Sequence, residues 1–162
     1  MGVKVTMRGR SGRIISRFDP DFLVGEINQA GERAVKGVSD MMKKEGEQIQ
    51  ELARDYAPYD DGYLEKSIKV QSGKDENGRV AVTVYVDGST PAAGGKAVGD
   101  YALLMHEGLG PYGSGYYKPG EGTMAKIYAG FKAGGKFLER AFKERTRTLV
   151  EKAAAAARRA LK

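Results

Sequence analysis

The sequence predicts an α+β protein: a long N-terminal amphipathic helix packed on a small antiparallel β-sheet, then a short helix, a long Gly/Tyr-rich loop and a C-terminal helix. Three observations carry this reading. Leu23, Ile27, Ala30, Ala34, Val38, Met41, Ile49, Leu52, Ala53 and Tyr56 recur mostly three or four residues apart, the period of one buried helix face. Val80, Val82, Val84 and Val86 recur every second residue, the period of a strand with one face buried. Between them lies Tyr56–Ile68, YAPYDDGYLEKSI, where Pro58 cannot continue a helix and Asp60-Asp61-Gly62 supplies turn chemistry.

At 162 residues the chain is expected to form one domain with a modest core and no need of metal or disulfide support. It has no cysteine, which excludes a disulfide framework, thiol catalysis and cysteine-ligated zinc or iron–sulfur sites. No apolar run approaches the roughly 20 residues of a membrane-spanning helix. The basic N-terminus is not followed by the apolar core of a secretory signal, so the chain reads as soluble and unexported, with no membrane partner. Its formal net charge of +6 is unevenly spread. Lys4, Arg8, Arg10, Arg13 and Arg17 stand near the start without an acid, and residues 136–162 hold nine Lys/Arg against Glu139, Glu144 and Glu151. Two basic ends flank an acidic body.

Residues 1–18 read as a basic arm, either solvated or ordered on a partner, although Val3–Met7 alternates enough to pair as a short strand. Asp19 is a good N-cap for a helix over 19–57, with Pro20 at its first position and Phe18 set to staple onto Leu23. Such a helix would run roughly 55 Å, longer than a compact domain of this size requires, with a kink expected at Gly37 or Gly46. Residues 62–86 read as a β-hairpin turning at Asn77-Gly78, its valine face laid on the long helix. Asp87–Gly99 has loop composition. Asp100 is placed to cap a short helix over 100–107, and Gly108 to end it. Residues 108–135 read as an extended loop carrying Tyr112, Tyr116, Tyr117, Tyr128 and Phe131, ordered mainly where it touches a neighbour, with the tyrosines as contact residues. Residues 136–162 read as one final helix whose alanine- and arginine-rich end has little to bury.

Candidate chemistry fits this layout poorly. His106 is the sole histidine, so a metal would need a mostly carboxylate shell that no spacing announces. Gly108, Gly110 and Gly113 spell G-x-G-x-x-G, but they follow a helix and enclose Pro111, which is not the dinucleotide context. Asp60-Asp61 is explained by turn formation. The sequence therefore predicts neither catalytic residues nor a cofactor, and no enzyme.

Ala57-Pro58, Asp61-Gly62, Tyr63-Leu64 and Ser67-Ile68, then the hairpin, then Tyr101-Ala102 with Glu107-Gly108, then Phe137-Leu138 with Ala141, form an ordered set of motifs. Over roughly residues 20–145 this set resembles the tail-completion or head–tail joining (neck) proteins of long-tailed bacteriophages. It departs from the usual pattern at Asp61 and Leu109, where threonine is common. The resemblance implies a structural virion protein that forms a homo-oligomeric ring, commonly a hexamer, between the portal-side connector or head completion protein and the tail terminator or tail tube protein. It implies location in the virion after assembly in the host cytoplasm, with DNA passing through the lumen without specific binding. Residues expected at subunit or ring interfaces are Arg8, Arg10, Arg13, Tyr112, Tyr116, Tyr117, Phe137, Leu138 and Phe142. The basic ends are expected to dock on acidic neighbours and the acidic body to face a channel that lets DNA slide. The alternative from another class is a non-specific nucleic-acid-binding protein using the basic termini.

Overall fold

The computed structural model describes residues 4–8, 13–17, 31–109 and 118–161. In chain order the elements are β1 (Lys4–Arg8), β2 (Arg13–Arg17), α1 (Gly31–Tyr56), α2 (Tyr63–Ser67), β3 (Ile68–Lys74), β4 (Val80–Val86), α3 (Gly99–Glu107), α4 (Glu121–Tyr128), α5 (Phe137–Thr146) and α6 (Leu149–Ala160). The fold is α+β, with a four-stranded antiparallel sheet in the order β1-β2-β4-β3.

β3 and β4 form the expected hairpin, with Ile68 opposite Val86 and Lys74 opposite Val80. Asp75 organises its turn by accepting hydrogen bonds at Oδ1 from the backbone N–H groups of Asn77 and Arg79, both at 2.9 Å. Gly78 takes the left-handed conformation that the turn requires, with φ +75°. The first part of the 62–86 segment is not strand: Tyr63–Ser67 forms the single-turn α2, which Ser67 closes by donating from Oγ to the carbonyl of Leu64 at 2.6 Å.

The arm expected over residues 1–18 is instead a second hairpin where it is described. β1 and β2 pair antiparallel, and β2 lies on the free side of β4, with Ile14 opposite Val86. Strand β4 would otherwise expose a row of unpaired backbone groups, and the β-branched Val5 and Thr6 of β1 and Ile14-Ile15 of β2 suit the pairing.

Helix α1 is unbroken from Gly31 to Tyr56. The expected start at Asp19 and Pro20 lies outside the described residues. Its apolar stripe faces two clusters. Ile49, Ala53 and Tyr56 pack with Ile68, Val84, Val86, Phe137, Leu138 and Phe142, while Ala34, Val38 and Met42 pack with Val82, Ala153 and Ala157. The valine face of β4 therefore does rest on the long helix. Burying each of these larger side chains contributes about 1.5–3 kcal/mol.

Gly37 and Gly46, where a kink was expected, lie within the continuous helix, and both serve close packing. A Cβ on Gly46 would lie 2.3 Å from Cγ1 of Val82, and one on Gly37 would lie 2.9 Å from Cβ of Ala160. The sheet and the last helix approach α1 at these two points.

The single final helix expected over 136–162 is two helices, divided at Arg147-Thr148. Thr146 donates from Oγ1 to the carbonyl of Phe142 at 2.7 Å, a back-bond that bends helices, and Thr148 leaves helical geometry at φ −110°, ψ 11°. The division lets α5 bury Phe137, Leu138, Ala141 and Phe142 while α6 returns along the first half of α1 with Leu149, Ala153 and Ala157 buried. The alanine run thus packs on its own chain, where small side chains allow close helix approach.

Candidate functional site

The corner after α1 is held by residues far along the chain. A helix ends with carbonyls that lack intrahelical partners. Here Lys126 donates from Nζ to the carbonyls of Arg54 at 2.7 Å and Ala57 at 2.9 Å, and pairs with the Glu65 carboxylate. An ammonium at this end also complements the negative pole of the helix dipole. Gly134 donates its N–H to the carbonyl of Tyr56 at 2.9 Å. Thr123 grips the backbone of Tyr59 twice, its Oγ1 accepting from the N–H and donating to the carbonyl, both at 2.9 Å. Gly122 is required beside this contact, since a Cβ there would lie 2.5 Å from Cδ1 of Tyr59.

Helix α4, which supplies Gly122, Thr123 and Lys126, corrects the expectation of an extended loop over 108–135. Gly122 and Thr123 in its first turn have weak intrinsic helix propensity, and glycine-rich sequence flanks it on both sides. Docking on the corner supplies the partners that its sequence pattern does not announce.

Beside the corner lies a groove of about 660 Å³. Leu64, Leu104 and Met105 supply its apolar surface, Tyr63 and Tyr101 its aromatic walls, and Asp60 and Asp61 exposed carboxylates at the turn. Burial pushes the Tyr101 phenol above its ordinary value, and the nearby Asp60 and Asp61 add to this by disfavouring a second negative charge. Gly62, with φ +75°, provides the sharp turn that presents the carboxylates. The opposite side is shaped by the Asp87–Gly99 loop, which folds back so that Val98 donates its N–H to the carbonyl of Thr90 at 2.9 Å. Asp100 is not the N-cap of α3. Val98 holds that position, and Asp100 accepts at Oδ2 from the N–H of Ala97 at 3.0 Å, tying the loop to the helix. Gly108 ends α3 in the left-handed conformation, as expected.

The expected interface residues divide into three groups. Phe137, Leu138 and Phe142 are at most 2% exposed and form the core, which removes them from any surface. Phenylalanine and leucine at helical spacing after a glycine pair carry the same pattern whether they meet a neighbour or their own chain. Arg8 and Arg13 stand opposite each other at the β1–β2 turn, and Arg10 lies outside the described residues. Tyr112, Tyr116 and Tyr117 also lie outside the described residues. Two further aromatic residues of the expected loop are on the surface: Tyr128, 81% exposed at the end of α4, and Phe131, 42% exposed just beyond it, with Ile127 of α4 beside them.

His106 is buried, edge-on to Phe137 with ring centroids 5.0 Å apart. Its burial pushes the imidazole below its ordinary pKa, and Nδ1 has no hydrogen-bond partner among the described residues. Tyr56 donates its phenol to Oε2 of Glu144 at 2.6 Å beneath the guanidinium of Arg140, and burial followed by that bond pushes its pKa up to about 12. Among the described residues no cluster of three or more acidic or histidine side chains is arranged to hold a metal ion. The groove offers carboxylates, the ammonium groups of Lys96 and Lys118, phenols and apolar surface, a mixed chemistry suited to holding another polypeptide segment.

No curated protein and no solved structure matches the chain. The model of the HK97-gp10-like family, described as "Bacteriophage HK97-gp10, putative tail-component", matches residues 23–105. That span runs from before α1 through the corner, the β3–β4 hairpin and most of α3, includes every residue lining the groove except Lys118 and Gly120, and covers half of the chain. The chain belongs to the HK97-gp10-like family of bacteriophage tail components.

Proposed function

We propose that this tail-component chain is a structural virion protein of the phage neck, assembling as a homo-oligomeric ring, a hexamer, that joins the head connector to the tail. The observation that carries the reading is the family match across the corner and hairpin. The exposed Ile127, Tyr128 and Phe131 support it, since aromatic side chains left on a protomer surface are favoured contact residues. The ring sits between the portal-side connector or head completion protein and the tail terminator or tail tube protein. Arg8, Arg10, Arg13, Tyr112, Tyr116 and Tyr117 contribute to its interfaces. The acidic middle of the chain faces the lumen, where like charge lets DNA pass without specific binding. The role is scaffolding, not catalysis.

Phage carrying a nonsense codon in this gene are expected to accumulate filled heads and finished tails that remain unjoined in electron micrographs. Addition of the purified protein to the mixture is expected to restore joined particles. Infectious, fully joined particles made without it would overturn the proposal. Tight retention on duplex DNA at physiological salt would favour the nucleic-acid-binding alternative.

A further inference from the structure

The groove beside the corner and the end of α6 are complementary in three respects. At the groove, Asp60 and Asp61 are exposed carboxylates, Tyr63 and Tyr101 are aromatic walls, and Leu64 and Met105 are apolar surface. Asp100, Lys96 and Lys118 also line it, so the Asp60-Asp61 turn is the one place in the lining where two carboxylates stand side by side. At the end of α6, Arg158 and Arg159 are exposed cations and Leu161 is 49% exposed. Guanidinium groups bind carboxylates bidentately and lie flat on tyrosine rings, and a leucine beyond them suits an apolar floor.

The two features stand at opposite ends of α1. Ala160 is beside Gly37, whereas the groove begins past Tyr56. The helical rise between Gly37 and Tyr56 is roughly 28 Å at about 1.5 Å per residue. With Ala153 and Ala157 buried against α1, the end of α6 is fixed and cannot cross that distance to its own groove. A donor surface and an acceptor surface at opposite poles of one molecule make a head-to-tail contact, the kind that closes into a ring when the rotation permits.

The geometry points to the segment Arg158–Leu161 of one copy docking in the corner groove of a second copy, with the two arginines on Asp60 and Asp61 and Leu161 against Leu64 and Met105. This rests on the ring reading and names the docking pair within it. Because the end of α6 is already ordered by its own chain, little conformational entropy is lost when it docks.

The absence of cysteine makes the test direct. Full-length Asp61→Cys and Leu161→Cys proteins are mixed and oxidised. The expected product is a disulfide-linked dimer of the two variants, and the double variant is expected to give a ladder of linked multiples. Gly73→Cys, with open space around its site, replaces Asp61→Cys as the control and is expected to link poorly to Leu161→Cys. In parallel, Asp60→Arg with Asp61→Arg is expected to weaken self-association about tenfold or more by sedimentation, and Arg158→Asp with Arg159→Asp to restore it when the reversed proteins are mixed. Circular dichroism checks that each variant is folded. Oligomers that form at undiminished strength after charge reversal, or cross-links no better than the control, would overturn the docking pair and leave the ring standing. A link within single chains of the double variant would also overturn it. Wild-type protein that stays monomeric at its highest soluble concentration and with connector proteins present would remove the ring and the docking pair together.

Discussion

Glu45 sits where three helices meet, its side chain only 10% exposed, and it takes Arg145 at 2.9 Å and Lys152 at 2.7 Å. One carboxylate thus ties α1 to both α5 and α6. Removing its charge leaves two cations crowded together in a half-buried site, which costs more than the pair itself stabilises. Glu45→Gln is expected to lower stability by about 2–3 kcal/mol, seen as a lower urea midpoint with an unchanged slope. His106 offers a second test at this scale. Burial is the main cause of its lowered pKa, with Lys136 and Arg140 acting in the same direction and Glu107 and Glu139 opposing them. The unfolded chain takes up the proton first, near 6.5, so the histidine's contribution to stability is present above that pH and is lost as pH falls through the lower folded value. As it is the sole histidine, its NMR signal is unambiguous, and a midpoint below 6.5 is expected. A midpoint at or above 6.5 would contradict the buried, neutral imidazole.

The helix α1 owes its position to what its glycines omit. Gly46→Ala adds helix propensity, but the new Cβ would meet Val82 at 2.3 Å, so the sheet must shift. The net effect expected is destabilisation of about 1–3 kcal/mol, against stabilisation of up to about 1 kcal/mol if the site were open. Thermal unfolding of the variant distinguishes the two. Elements with a strong period were legible in advance: the end of α1 at Tyr56, the Asn77-Gly78 hairpin, and α3 ending at Gly108. Elements that owe their form to distant partners were not. Helix α4 follows from Lys126 and Thr123 meeting the corner, and the α5–α6 division from the Thr146 back-bond and the room that α1 leaves for alanines. Phe137 and Phe142 were legible as sticky but not as internal, because a sequence records apolarity without recording which surface will cover it.

At the scale of the whole molecule, the surface aromatic residues at the end of α4 and just beyond it are the natural place for affinity, while charge governs encounter. Tyr128→Ser with Phe131→Ser removes exposed apolar area without touching the core, so the melting temperature is expected to hold within a few degrees while self-association weakens several-fold by sedimentation. The groove read in advance as a mere turn, Asp60-Asp61-Gly62, is legible only after the Asp87–Gly99 loop and α3 have been brought beside it. One further consequence follows from the way the chain leaves and rejoins the body around α4. Gly135 lies so close to Gly108 that a Cβ on it would come within 2.9 Å of the Gly108 Cα, and Lys136 donates its N–H to the carbonyl of His106 at 2.5 Å. The excursion is tied off at its neck like a drawstring bag. Doubling the length of chain inside such a knot costs only about 0.6 kcal/mol, so this is where new recognition sequence can be spliced in while the body beneath keeps its shape.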